Sequence, residues 1–171
     1  MKLQELIDEL ETKECYTNFK SEHPESHFCA GFFILNLEES TEQIQLDYYI
    51  KSSNQIASFE FPFENFKLHN EIISAKNNTT EGDEIKPLPN QTTKIKIDID
   101  DLKSTVKETI ERNEGKIVPT KIIAILKEDS WNLTCMDNVL GMVRIKLNAI
   151  TGEVENYSKG SLMDFMGIKK K

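Results

Sequence analysis

Cys15, His23, His27 and Cys29 are the residues of this chain whose types and spacing most directly suggest chemistry. They read C-x7-H-x3-H-x-C, and two thiolates with two imidazoles could close a tetrahedral zinc site. His27 and Cys29 are two apart, so on an extended strand they share a face. Cys15 and His23 would have to reach them from a helix end and a loop. Only the His23–His27 interval has the pair spacing usual in structural zinc sites, and Cys29 sits in an apolar run where a thiol packs equally well as a small hydrophobe. Zinc is thus one reading of the cluster, and simple burial is the other.

The acidic run Asp98-x-Asp100-Asp101 lacks the glycine and the terminal glutamate of a calcium loop, and capping of a following helix accounts for it. No GxSxG elbow, phosphate-binding glycine loop or HExxH is present. Cys135 falls in a predicted strand and is expected in the core. His69 is isolated between Leu68 and Asn70, which predicts a loop or surface position. No catalytic residue is assigned, and no cofactor is expected unless the Cys/His set holds zinc.

Aromatic side chains crowd the region of Tyr48, Tyr49, Phe59, Phe61, Phe63 and Phe66. Most are expected to fill strand pairs. An exposed subset, with Tyr49, Phe63 and Phe66 the candidates, would make a partner-binding face. Near the end of the chain Leu162, Phe165 and Met166 recur at i, i+3, i+4, which predicts a short helix able to cap the sheet or to dock on a partner.

The elements that would position these residues follow from periodicity. Leu3, Leu6, Ile7 and Leu10 mark one face of a helix that ends before Pro24. A nearly continuous apolar run from His27 to Leu37 suits a central strand covered on both faces. Gln43–Ile50 and Ile56–Phe61 alternate as strands around a hairpin loop at 51–55, and Pro62 ends the second. Residues 63–97 read as a partly irregular connector, with a strand or helical turn near Phe66–Ser74. A second helix starts at Asp98, carries Leu102, Val106 and Ile110 on one stripe, and closes at Gly115 as the C′ residue. Strands follow at Thr120–Lys127, Trp131–Met136 and Leu140–Leu147, with a short one at Glu153–Tyr157.

The predicted class is therefore α+β: two helix-plus-antiparallel-sheet units, αβββ repeated, at 1–62 and 98–160, with a short helix and basic tail at 161–171.

The helix led by Asp98–Leu102, the Trp131 strand, and the run Val143-Arg144-Ile145-Lys146-Leu147-Asn148 leading to Thr151-Gly152-Glu153-Val154 resemble the PepSY-like domain family. In that family the strand typically ends in Asp before a TGxV turn; here the residue is Asn148. The resemblance covers about 98–158 and implies a cystatin-like layout and a non-catalytic binding or inhibitory role. The first half would be a diverged second copy by analogy.

Composition narrows the partners. Lys plus Arg is 21 against 29 Asp plus Glu, a net charge of −8, and only Arg112 and Arg144 are arginines. Such a chain repels phosphate backbones and has few guanidinium forks to read them, so no nucleic acid is expected. Nothing approaches the ~18 apolar residues of a transmembrane helix. The opening MKLQELIDELETKE has no apolar leader segment, and the odd number of cysteines forms no disulfide framework, so a cytoplasmic setting is expected. A non-catalytic module that binds a protein or peptide, or that self-associates, is the leading functional expectation. The alternatives are a zinc-stabilised structural protein and a ligand-binding or enzymatic protein with a pocket between helix and sheet.

Overall fold

The structure is a computed structural model and describes residues 1–70 and 87–161, apart from the side chains of Thr41 and Ser161. Helices α1 (Leu3–Glu11) and α2 (Glu14–Glu22) precede strands β1 (His27–Asn36), β2 (Thr41–Ile50), β3 (Gln55–Glu60) and β4 (Phe66–Asn70). A 3-10 turn (Ile99–Asp101) and α3 (Leu102–Arg112) precede β5 (Lys121–Lys127), β6 (Ser130–Met136), β7 (Gly141–Asn148) and β8 (Val154–Ser161). The strands form one antiparallel sheet in the order β4-β3-β2-β1-β5-β6-β7-β8. The fold is α+β, as the periodicity predicts, and a single sheet runs through both halves of the chain where β1 pairs with β5.

Two predicted details are corrected. The N-terminal helical segment is two helices, because Thr12 and Lys13 break the ladder between α1 and α2. The left-handed residue closing α3 is Glu114 (φ 55°) rather than Gly115. Glu114 N–H reaches Glu111 O at 3.1 Å and Gly115 N–H reaches Ile110 O at 2.8 Å, the paired bonds of a Schellman close. Gly115 is needed for proximity instead: a Cβ there would lie 2.7 Å from the Tyr157 hydroxyl.

Alternation decides which sheet face is buried. Leu46, Tyr48, Ala57, Phe59, Ile122, Ala124, Leu126, Trp131, Leu133, Ile145 and Leu147 point to one side, and the apolar stripes of all three helices join them in a single core. Phe19, Phe59 and Phe66 interlock at centroid distances of 5.3 and 5.4 Å, and Tyr48 meets Phe59 at 5.6 Å. The aromatic-rich zone of the sequence is thus largely core. These side chains fill the centre of the layer between helices and sheet, and at its margin an open cleft is lined by Glu5, Leu6 and Glu9 of α1 and by Glu42 and Ile44 of β2.

The acidic run caps helices. Asp98 Oδ1 accepts from Ile99 N–H at 2.7 Å and from Leu3 N–H at 2.8 Å, so one carboxylate serves the start of α1 and of the 3-10 turn leading into α3. Asp98 N–H returns a bond to Asp101 Oδ2 at 2.9 Å, and the Met1 amino group pairs with Asp100. Because two helix starts share this group, Asp98→Ala is expected to lower stability by about 2 kcal/mol, the upper end for a cap, and Asp98→Asn by much less, as read from urea midpoints.

Residues 87–97 run around the end of the sheet. Gln91, buried, donates its N–H to Phe28 O at 2.8 Å, while its side chain exchanges two bonds with Asp129 at 2.8 and 3.0 Å. Lys96 and Ile97 both bond to Ala149 O, and Trp131 Nε1–H donates to Ile97 O at 2.7 Å.

Candidate docking face of the sheet

The three described helices pack on one side of the sheet, and among the described residues no helix packs on the other. In β5 the burial alternates residue by residue, and Ile123 and Ile125 lie on the side opposite to Ile122, Ala124 and Leu126. Register sets Ile34 beside Ile123 and Phe32 beside Ile125. These four side chains form an apolar strip across the two central strands, three of them half-buried and Ile125 38% exposed. The expectation that β1 is covered on both faces is corrected here: Phe33 and Leu35 are in the core, while Phe32 and Ile34 face outward.

A polar corner adjoins the strip. Asp47 on β2 and Ser58 on β3 are register partners, and His69 on the edge strand β4 lies diagonal to Ser58 on the same face. The Ser58 hydroxyl donates to Asp47 Oδ1 at 2.6 Å, and His69 Nε2 is 2.6 Å from Ser58 Oγ. With Asp47 ionised the hydroxyl proton goes to the carboxylate, and the imidazole then donates through Nε2–H. Gln45 Nε2 adds a bond to Asp47 Oδ1 at 2.9 Å.

The order carboxylate–hydroxyl–imidazole differs from a nucleophilic triad, in which the imidazole stands between the other two and takes the hydroxyl proton. Here the serine is buried and its proton points away from the base. This corner is a hydrogen-bonded support for the face, built to hold a carboxylate in a half-dry place.

Burial raises the Asp47 pKa, against the opposing pull of the Ser58 and Gln45 hydrogen bonds and of His69. A carboxyl whose pKa is higher folded than unfolded favours folding when protonated. Its contribution is therefore greatest below the unfolded pKa and is lost as pH rises through the folded value. An asparagine side chain at this position would accept the same two bonds without a charge. Asp47→Asn is thus expected to raise the urea midpoint at pH 7, with the gain shrinking as the pH is lowered through the acid range.

Cations ring the strip. Lys121 and Lys127 stand at the two ends of β5 on the open side, each two residues from an isoleucine. Arg144 and Lys146 occupy the open side of β7, Arg144 opposite Thr134 and Lys146 opposite Asn132. Those β6 residues in turn face Ile123 and Ile125. Lys146 pairs with Glu155 at 3.7 Å.

The sequence-predicted site residues are dispersed. Cys15 Sγ donates to Phe63 O at 3.2 Å, Cys29 Sγ to Asp47 O at 3.4 Å, His27 Nε2 lies 2.7 Å from Leu88 O, and the His23 ring packs 5.3 Å from that of Phe19. Each has its own partner, and among the described residues no three His, Cys, Asp or Glu side chains come together to hold a metal. Burial pushes the Cys135 pKa up to about 12, in keeping with a packed thiol.

Tyr49 and Phe63 are buried, and Phe66 is half-buried against Phe19 and Phe59. Tyr49 and Phe63 are corrected as partner-contact residues: Tyr49 is held by a 2.7 Å bond from its hydroxyl to Asn54 and by the His27 ring, and Phe63 is turned inward. Leu162, Phe165 and Met166 lie outside the described residues. Sequence reasoning passed over Asp47, Ser58 and the β5 and β7 cations, because their neighbours are set by register and strand order rather than by spacing along the chain.

No family model matches the chain, and no curated protein matches it. A solved structure from Clostridium difficile 630, described as a "putative lipoprotein", is similar over 85% of this chain and 90% of its own, with 9% identity and a TM-score of 0.42. No described helix is long and apolar enough to cross a membrane.

Proposed function

We propose that this protein is a non-catalytic module that docks a protein or peptide on the face of its sheet opposite the described helices. The observation that carries the reading is the strip Phe32, Ile34, Ile123 and Ile125, set on the side opposite the described helices and bordered by polar and charged residues. An apolar centre within a polar rim is the anatomy of an interface. The buried polar corner supports this reading over catalysis, since its hydroxyl is committed to Asp47.

The strand order supports a finer reading: two copies of a helix-plus-four-strand unit, each a meander, joined through their first strands. On this view the second unit is PepSY-like and the first a diverged partner. Cys15, Cys29 and Cys135 are thiols and not disulfides, in keeping with a reducing, cytoplasmic setting.

Adjacent residues on β5 provide the test. Ile125→Asp places a charge on the open face and is expected to change stability by no more than about 1 kcal/mol. Leu126→Asp buries a charge in the core and is expected to unfold the protein. Affinity capture from cells should recover a partner with the wild-type bait and lose it with Ile125→Asp, circular dichroism being unchanged. Equal recovery by both baits would contradict the proposal.

A further inference from the structure

The charge around the strip identifies the chemistry of what it binds, given the docking reading above. The chain carries a net charge of −8, and α1 alone holds Glu5, Asp8, Glu9 and Glu11 with no cation between Leu3 and Glu11. Yet the two isoleucines on the open side of β5 are bordered on three sides by Lys121, Lys127, Arg144 and Lys146. Two residues along a strand is about 7 Å, and two strands across a sheet about 10 Å, so all four cations lie within reach of one docked segment. Of the acids on this face, Asp47 is held by Ser58 and Gln45 and Glu60 lies 3.9 Å from Lys67, while Glu155 already pairs with one of the four cations, Lys146. Among the described residues Lys121 and Lys127 have no ion pair.

We propose that the partner is a protein segment that presents aliphatic or aromatic side chains flanked by Asp and Glu, its apolar groups seated on Ile123 and Ile125 and its carboxylates on the surrounding cations. The apolar centre separates this from a polyanion site, where a phosphate-tracking surface would be basic throughout and carry stacking aromatics. A two-fold pairing of this face with itself would set like charges against each other, which favours a different molecule over a second copy.

The test uses the full chain in its native cells with photo-reactive p-benzoylphenylalanine at position 125, and the same probe at position 8 on α1 as a control. The expected result is an adduct from position 125 whose cross-linked peptide holds more Asp and Glu than Lys and Arg. Its yield should fall about tenfold when Lys127→Glu and Arg144→Glu are combined, and stay unchanged with Lys103→Glu and Lys107→Glu on α3. A neutral or basic cross-linked peptide, an adduct insensitive to the β5 and β7 reversals, or an adduct to a second copy of the chain would overturn the acidic-partner proposal while leaving the docking face in place. No adduct from position 125 would overturn both.

Discussion

Trp131→Ala is expected to destabilise this protein by about 3–5 kcal/mol, the range for removing a fully buried aromatic side chain. Trp131 is fully buried on β6, packs 5.7 Å from the Phe33 ring, and donates its indole N–H to Ile97 O. One side chain therefore joins the sheet core to the segment that leads into α3. Truncation leaves a cavity and a half-buried carbonyl without its donor. Trp131→Phe separates the two effects: it retains most of the apolar contact and should cost about 1–2 kcal/mol for the lost hydrogen bond with the residual void. Urea unfolding followed by circular dichroism measures both, because the substitution removes the single tryptophan that fluorescence would use. A Trp131→Ala loss below about 1 kcal/mol would show that the second half of the core is not packed as described.

Gly31→Val is expected to destabilise the protein by about 1–3 kcal/mol, and for the opposite reason. Gly31 lies on β1, the central strand that pairs with both β2 and β5. The Phe33 ring folds back over it: a Cβ at Gly31 would stand 2.6 Å from Phe33 Cε2 and 2.9 Å from its Cζ. A side chain there must displace a fully buried ring that rests on Trp131. Combining Gly31→Val with Phe33→Leu makes room for the added methyls and should recover part of the loss, so the double variant should be less destabilised than the sum of the two. Strict additivity would contradict the contact.

What was legible in the sequence was local. Alternation in Gln43–Ile50 and Leu140–Leu147, the helical stripe of Leu102, Val106 and Ile110, and the Thr151-Gly152 turn each match an element, and Gly152 has the expected positive φ of 82°. The capping role of Asp98 was legible too, because acceptor and helix start adjoin in sequence. That Asp98 also serves Leu3 was not, since that bond spans most of the chain. The candidate site depended on information of the same non-local kind. Lys121, Lys127, Arg144 and Lys146 alternate visibly with apolar residues, but their convergence follows only when β5, β6 and β7 are neighbours in that order. Likewise, Ser58 meets His69 only through the β3–β4 register, which is why His69 read as isolated. The spacing of Cys15, His23, His27 and Cys29 pointed the other way. Proximity in sequence suggested a cluster, while a helix, a strand bulge at Cys29 and separate carbonyl partners keep the four apart.

The most direct measurement of the docking face is methyl NMR of isoleucine-labelled protein with a soluble paramagnetic agent, before and after addition of the captured partner. In the free protein Ile34, Ile123 and Ile125 should broaden while Ile44, Ile50, Ile122 and Ile145 stay sharp. With the partner bound, the first set should sharpen again. A partner that leaves those three methyls exposed, and protects residues of α1 or α3 instead, would contradict the account.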